Sequence, residues 1–345
     1  MSEKNMKHSN SIQIKDAYTY FVTSDKASAI EIEKLHLCSW RYRNLLWLRK
    51  RLLEIGMQIK VKDIKALETE PGGNHVLTVE VVIPWVKKGT KVADLYRSLR
   101  ETKNARFIFN EDVEPGKTFD GGEGNTGCVL EFAHPICMLP SQCECDDSQV
   151  RFSISIPSDV DLKLMPIYIR CAIEIPRKKF CYANTGLSRS MYSYDIKINR
   201  LRNLPIPVRK ADLCPIKACY CLHIVPSHYQ LSFYDSNNFQ NIRILEHNRY
   251  NDYVSGVELF KKKVKAYKYQ VVFNKNTADN FSFLSLFESE HIGLTPLIIA
   301  ILINILCTIC FISVDGIKQS LLARCLFGSA NLPQAVDGEA AENVK

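Results

Sequence analysis

Along much of the chain apolar and polar residues alternate with a period of two, the spacing at which one face of an extended strand is buried and the other is not. The alternation recurs over Ala29–Leu37, His75–Ile83, Val150–Ile156, Ile167–Ile175, Met191–Ile198, Ala218–Val225, Tyr229–Tyr234, Asn241–Leu245 and Tyr267–Phe273. Clusters that favour turns, Pro71-Gly72-Gly73-Asn74, Pro157-Ser158-Asp159 and Ser236-Asn237-Asn238, separate several of these segments. Short strands without helices alternating between them predict a mainly β fold of antiparallel, sandwich-like character rather than a parallel doubly wound sheet.

Two segments carry helical spacing instead. Cys38–Gly56 places Tyr42, Leu45, Leu46, Leu52 and Leu53 near one face and ends at Gly56, and Lys91–Lys103 does the same with Val92, Leu95 and Leu99. Both are predicted helices. The stretches Asn110–Gly127 and Pro140–Gln149, poor in large apolar residues, read as loops that bracket one strand over Cys128–Leu139.

One run departs from every globular pattern. From Ile292 to Val314 no side chain carries a charge, and the apolar stretch beginning at Leu297 is interrupted deeply only by Asn304. A membrane-spanning helix needs about 20 apolar residues, which at about 1.5 Å each cross a hydrocarbon core of roughly 30 Å. A helix also satisfies its own backbone there. Thr295 is the expected N-cap, Pro296 suits the first turn, and Asp315-Gly316 predicts the stop, with a short amphipathic helix over Gly316–Phe327 beyond it. Asn304, Thr308 and Ser313 fall nearly on one helical face, a pattern that serves homo-oligomerisation through the span.

These elements divide the chain into a polar N-terminal segment (1–27), an α+β domain (28–147), a β-sandwich-like domain (148–285), a transmembrane helix (292–314) and a short tail (315–345). A length of 345 residues with 46% hydrophobic and 24% charged residues accommodates two domains and an anchor, and excludes both a wholly disordered and a polytopic membrane chain. The N-terminus lacks the apolar core of a signal peptide, so the large N-terminal region is expected on the cytoplasmic side, although Lys318 and Arg324 after the span favour the opposite orientation.

The net charge of +8 is spread among acids and concentrates at Trp40–Arg51 and Phe260–Lys268, which read as solvated basic faces. Nucleic acid is not an expected partner. The leucines of the first run make it an amphipathic segment suited to packing or to a lipid surface. Thirteen cysteines, an odd number, lie partly within apolar runs (Cys171, Cys181, Cys307, Cys310) and read mostly as reduced thiols.

Candidate chemistry is sparse. Gly122–Gly127 spells GEGNTG, but it follows an acidic stretch instead of a strand and opens no helix, as a dinucleotide fingerprint must. Pro115–Thr118 ends like a phosphate loop without its upstream glycine. Cys143 and Cys145 form a pair flanked by acids, suited to a loop thiol or disulfide. Cys219, Cys221 and His223 are the candidate metal ligands, with Cys214 and Cys137 as further thiols. In an extended strand Cys219 and Cys221 share a face, which a packed core requires equally. No hydrolase, metalloprotease or kinase signature is present, and no cofactor is expected.

The pattern therefore leans away from an enzyme. It indicates a single-pass membrane protein, anchored near its C-terminus, whose β-rich region binds a protein partner as an adaptor or receptor-like module. Two alternatives stand beside it: a membrane-tethered enzyme with its site in the 110–149 loops, and an oligomeric pore-forming or membrane-disrupting protein.

Overall fold

The computed structural model describes residues 18–43, 49–109, 111–120, 126–132, 134–162, 165–175, 182–185, 189–205, 208–245, 253, 269–277, 281–290 and 294–327. The chain divides into a β unit (Met1–Thr185 with Ser190–Ser289) and a second unit that holds the C-terminal helix (Gly186–Arg189 with Glu290–Lys345). The basic run Phe260–Lys268, Cys181, Leu45, Leu46 and most of the GEGNTG stretch lie outside the described residues.

Two mixed sheets build the β unit, and strands from before and after position 147 enter both. In chain order the strands are β1 (Thr19–Thr23), β2 (Ile30–Arg43), β3 (Arg49–Val61), β4 (Glu68–Thr69), β5 (His75–Val82), β6 (Val92–Asp94), β7 (Glu114–Asp120), β8 (Thr126–Glu131), β9 (Ile136–Met138) and β10 (Gln142–Asp146). They continue as β11 (Gln149–Ile156), β12 (Ile167–Glu174), β13 (Tyr182–Thr185), β14 (Arg189–Ile198), β15 (Ile216–Pro226), β16 (Gln230–Tyr234), β17 (Phe239–Ile244), β18 (Tyr269–Asn276) and β19 (Phe281–Glu290). The nine-stranded sheet runs β10-β11-β5-β1-β14-β19-β16, with β13 on β14 and β4 on β5. The ten-stranded sheet runs β17-β18-β15-β2-β3-β12-β9-β8-β7, with β6 on β12. Most pairs are antiparallel, while β1–β14, β2–β15 and β9–β12 are parallel.

The mainly β, sandwich-like fold is thus present, and the alternating segments became strands because alternation buries one face. β11 shows this plainly: Val150, Phe152, Ile154 and Ile156 are buried, and the intervening residues are more exposed. These side chains meet Leu53, Ile55, Met57 and Ile59 of β3 and Ile167, Ile169 and Ile173 of β12 in a core shared by both sheets. A second apolar cluster covers the opposite face of the ten-stranded sheet. It joins Cys38, Trp40, Leu52, Tyr168 and Ala172 to Leu95 and to Tyr96 and Leu99 of α1 (Tyr96–Leu99) and Phe107 of α2 (Thr102–Phe109).

That second cluster explains the main correction. Residues 38–43 and 49–56 are not helical but paired strand, β2 against β3, with Trp40 opposite Leu52 and Leu37 opposite Ile55. Because both faces of this hairpin are covered, Leu52 packs outward and Leu53 into the shared core, so adjacent positions are both apolar and the two-residue period is hidden. The predicted helix over Lys91–Lys103 divides into β6 and α1, and α2 continues beyond it to Phe109. The two expected loops contain hairpin strands, β7 against β8 and β10 against β11. Ser148, at φ 61°, supplies the tight turn of the second. The single strand expected over Cys128–Leu139 is split into β8 and β9.

Unit two contains α3 (Leu294–Phe327), a continuous helix of 34 residues. Pro296 falls in its first turn, where an N–H has no partner to lose. Asp315-Gly316 does not stop it. Gly316 has open space around it and costs a helix interior only about 1 kcal/mol, which the flanking turns outweigh.

At Gly56 an added Cβ would fall inside the contact distance of the Tyr168 hydroxyl and 3.3 Å from Arg170 Nη1. Gly56→Ala is expected to lower stability by about 1–3 kcal/mol. A chemical-denaturation midpoint equal to that of the parent protein would contradict this packing.

Candidate functional site

The candidate ligands Cys219, Cys221 and His223 lie on one face of β15, the face turned into the shared core, and all are fully buried. His223 Nδ1 is 2.7 Å from Ser39 Oγ on the neighbouring β2, and Nε2 is 3.6 Å from Cys221 Sγ. The imidazole stacks on Tyr194 at 4.5 Å between centroids and meets the edge of Phe287. Burial lowers the His223 pKa to about 3 and raises the thiols of Cys219 and Cys221, so a neutral ring sits beside protonated thiols. Cys214 is held elsewhere, its carbonyl accepting from Asn199, and Cys137 lies on β9. Among the described residues no three His, Cys, Asp or Glu side chains are grouped to hold a metal ion. His228 packs on Tyr229 and does not join His223.

On the opposite face of the same sheet lies a charged line that sequence reasoning missed. Arg170 of β12 donates to Glu54 Oε2 of β3 through Nε at 3.0 Å and Nη2 at 2.5 Å, and to the Tyr168 hydroxyl through Nη1 at 3.0 Å. Both members of the ion pair are essentially inaccessible, at 2% and 0% side-chain exposure. Burial pushes the Glu54 carboxyl up, against the opposing pull of the guanidinium. With its oxygen accepting from Arg170, the Tyr168 hydroxyl has its proton free for His36 Nδ1, 3.0 Å away. Burial lowers the His36 pKa to about 3 and leaves that nitrogen an acceptor. A single signal in the sequence pointed here: Arg170 interrupts the otherwise apolar Ile167–Ile173.

This line ends beside a groove that opens to solvent. Phe109, at the end of α2, packs its ring against Tyr168 at 4.9 Å and against His36 at 6.3 Å. Together with Lys34, Gln58, Lys60, Phe132 and His134 it lines a cavity of about 480 Å³. Lys34 and Gln58 are cross-strand partners on β2 and β3, and Gln58 Nε2 donates to Glu33 Oε2 at 3.0 Å. Aromatic walls with a floor of alternating charge suit a small amphipathic ligand or a partner's side chain, and the volume falls within the range of ligand pockets. The lining residues include no nucleophile hydrogen-bonded to a base. Pro115–Thr118 belongs to β7, so its Gly-Lys-Thr ending is part of a strand and opens no helix to cradle a phosphate.

No protein family model matches the chain, and no curated protein matches its sequence.

A histidine whose folded pKa lies below its unfolded value of about 6.5 takes up its proton more readily when unfolded. Its stabilising contribution is whole above pH 6.5 and is lost as pH falls toward 3, by up to about 1.4 kcal/mol per pH unit for one proton. His223→Gln is expected to flatten the acid limb of the stability–pH curve by about one proton. Parallel limbs in the parent and the variant would show that His223 is not buried neutral.

Proposed function

We propose that the protein is a single-pass membrane protein in which α3 is the anchor and the β unit is a cytoplasmic binding module. The observation that carries this reading is the stretch Leu297–Gln319: 23 residues long, apolar, and with none of it buried. At about 1.5 Å per residue it is long enough for a hydrocarbon core of about 30 Å. Ile303, Leu306 and Phe311 are 55%, 63% and 71% exposed, a display of apolar surface that water disfavours and lipid accepts. The cytoplasmic placement is supported by buried free thiols, among them Cys38, Cys137, Cys171, Cys219 and Cys221, a usage typical of reducing compartments. The binding role is supported by the groove beside Phe109 and by the full burial of His223 with Cys219 and Cys221, which keeps that cluster from a substrate.

Self-association through the span belongs to the same reading. Thr308 Oγ1 donates to the Asn304 carbonyl at 2.8 Å and is satisfied within its own helix. Asn304 is exposed in the apolar stretch, where its amide can bond a second copy of the helix.

Carbonate washing is expected to leave the full-length chain in the membrane pellet. The double variant Ile303→Lys/Leu306→Lys, at about 2.5–3.5 kcal/mol of insertion cost per lysine, moves it to the supernatant. Release of the parent chain by the same wash would overturn the anchor. Asn304→Leu is expected to weaken helix pairing by about 0.5–2 kcal/mol, seen as a several-fold loss of crosslinked dimer in membranes. Unchanged crosslinking would remove Asn304 from the interface.

A further inference from the structure

Three thiols converge between the two sheets. Cys143 and Cys145 alternate with exposed residues along β10, the terminal strand of the nine-stranded sheet, so both side chains turn to one face and pack against the shared core. From the ten-stranded sheet Cys171, fully buried on β12, belongs to the same core, and the neighbouring Cys143 and Cys145 thiols add to burial in raising its pKa. Polar contacts hold the arrangement. Ser141 Oγ lies 3.3 Å from Cys143 Sγ and donates to Asp94 Oδ1 at 3.4 Å, and Asp94 is the residue opposite Cys171 in the β6–β12 pair. Cys143 and Cys145 are half-buried and so reachable from solvent, whereas Cys171 is fully buried.

Two residues apart on one strand, Cα atoms are separated by roughly 6.5–7 Å and their Cβ atoms point in parallel, at the outer limit of what a disulfide bridges. Cys143 and Cys145 are therefore poorly disposed to join each other. Cys143 and Cys171 come from different sheets and are linked through Ser141, which touches Cys143, and Asp94, which Ser141 donates to and which stands opposite Cys171. We propose that Cys143 and Cys171 form a reversible disulfide that staples β10 to the ten-stranded sheet, made by exchange with a low-molecular-weight disulfide such as glutathione disulfide.

The steps balance. The Cys143 thiolate attacks one sulfur of the small disulfide, its S–S bond breaks, and one small thiolate leaves and takes up a proton. Cys171 gives up its proton to solvent and its sulfur attacks the Cys143 sulfur of the mixed disulfide, expelling the second small thiolate, which is protonated in turn. Two protein thiols are oxidised to one disulfide, and one small disulfide is reduced to two thiols. Cys143 is half-buried and meets the small disulfide first, while burial raises the Cys171 thiol well above its usual range and makes ring closure by Cys171 the slow step.

The test uses the full chain in detergent, equilibrated in mixtures of reduced and oxidised glutathione, quenched with acid, alkylated and mapped by peptide mass spectrometry. The expected result is a peptide pair joined through Cys143 and Cys171 that grows as the mixture becomes more oxidising and disappears with dithiothreitol. The pair persists in Cys145→Ser and is lost in Cys143→Ser and Cys171→Ala. The parent protein alone decides the matter if either of the last two misfolds. Alkylation of both Cys143 and Cys171 at the most oxidising point, a link from Cys143 to Cys145, or glutathione retained on Cys143 with Cys171 alkylated would each overturn the proposal.

Discussion

Burial of the ten-stranded sheet on both faces is the constraint from which most of the structure follows. Its central strands β2, β3, β12 and β15 have the nine-stranded sheet on one side and, over β2, β3 and β12, Leu95, α1 and α2 on the other, so successive side chains along a strand enter two different apolar layers. A polar group on such a strand has no water to turn to and must find its partner inside. Glu54 and Arg170 do so on the outer face, with Tyr168 and His36 completing the line. Ser39 and His223 do so on the inner face. Gly56 follows from the same crowding, since the Tyr168 hydroxyl occupies the space that a side chain would fill.

The same enclosure separates chemistry from packing. His223 beside Cys221 and Ser39 has the residue types of a nucleophile and its base, yet the ring is neutral and sealed between sheets. A catalytic group must meet substrate, and this ring is fully buried between Tyr194 and Phe287 with its nitrogens on Ser39 and Cys221. Solvent reaches the outer layer at the groove beside Phe109 and reaches the sheet edge at β10, where Cys143 and Cys145 are half-buried.

Strands that cover one side of the core were legible in the sequence because their exposed faces keep the alternation visible, as in β5 and β11. Legibility failed at β2–β3, where both faces are apolar and the leucines fit a helical spacing equally well. It failed again at β7 and β10, whose glycines, acids and cysteines resemble loop residues and whose strand character comes from hydrogen bonding to β8 and β11. At the candidate sites the shared face of Cys219, Cys221 and His223 could be read from spacing. Their partners could not, since Ser39 stands 184 residues from His223 and Glu54 stands 116 from Arg170.

Local chemistry alone decided the apolar helix near the C-terminus. Its length and lack of charge are properties of consecutive residues, and a helix closes its backbone hydrogen bonds without help from the rest of the chain. Local chemistry also decided that the rest of the described chain is β-rich. Tertiary packing decided which apolar runs became strands buried on two sides, which thiols face each other across the sheets, and which polar residues are sealed or open. These outcomes rest on contacts between segments far apart in sequence, whose energies no local pattern of residues encodes.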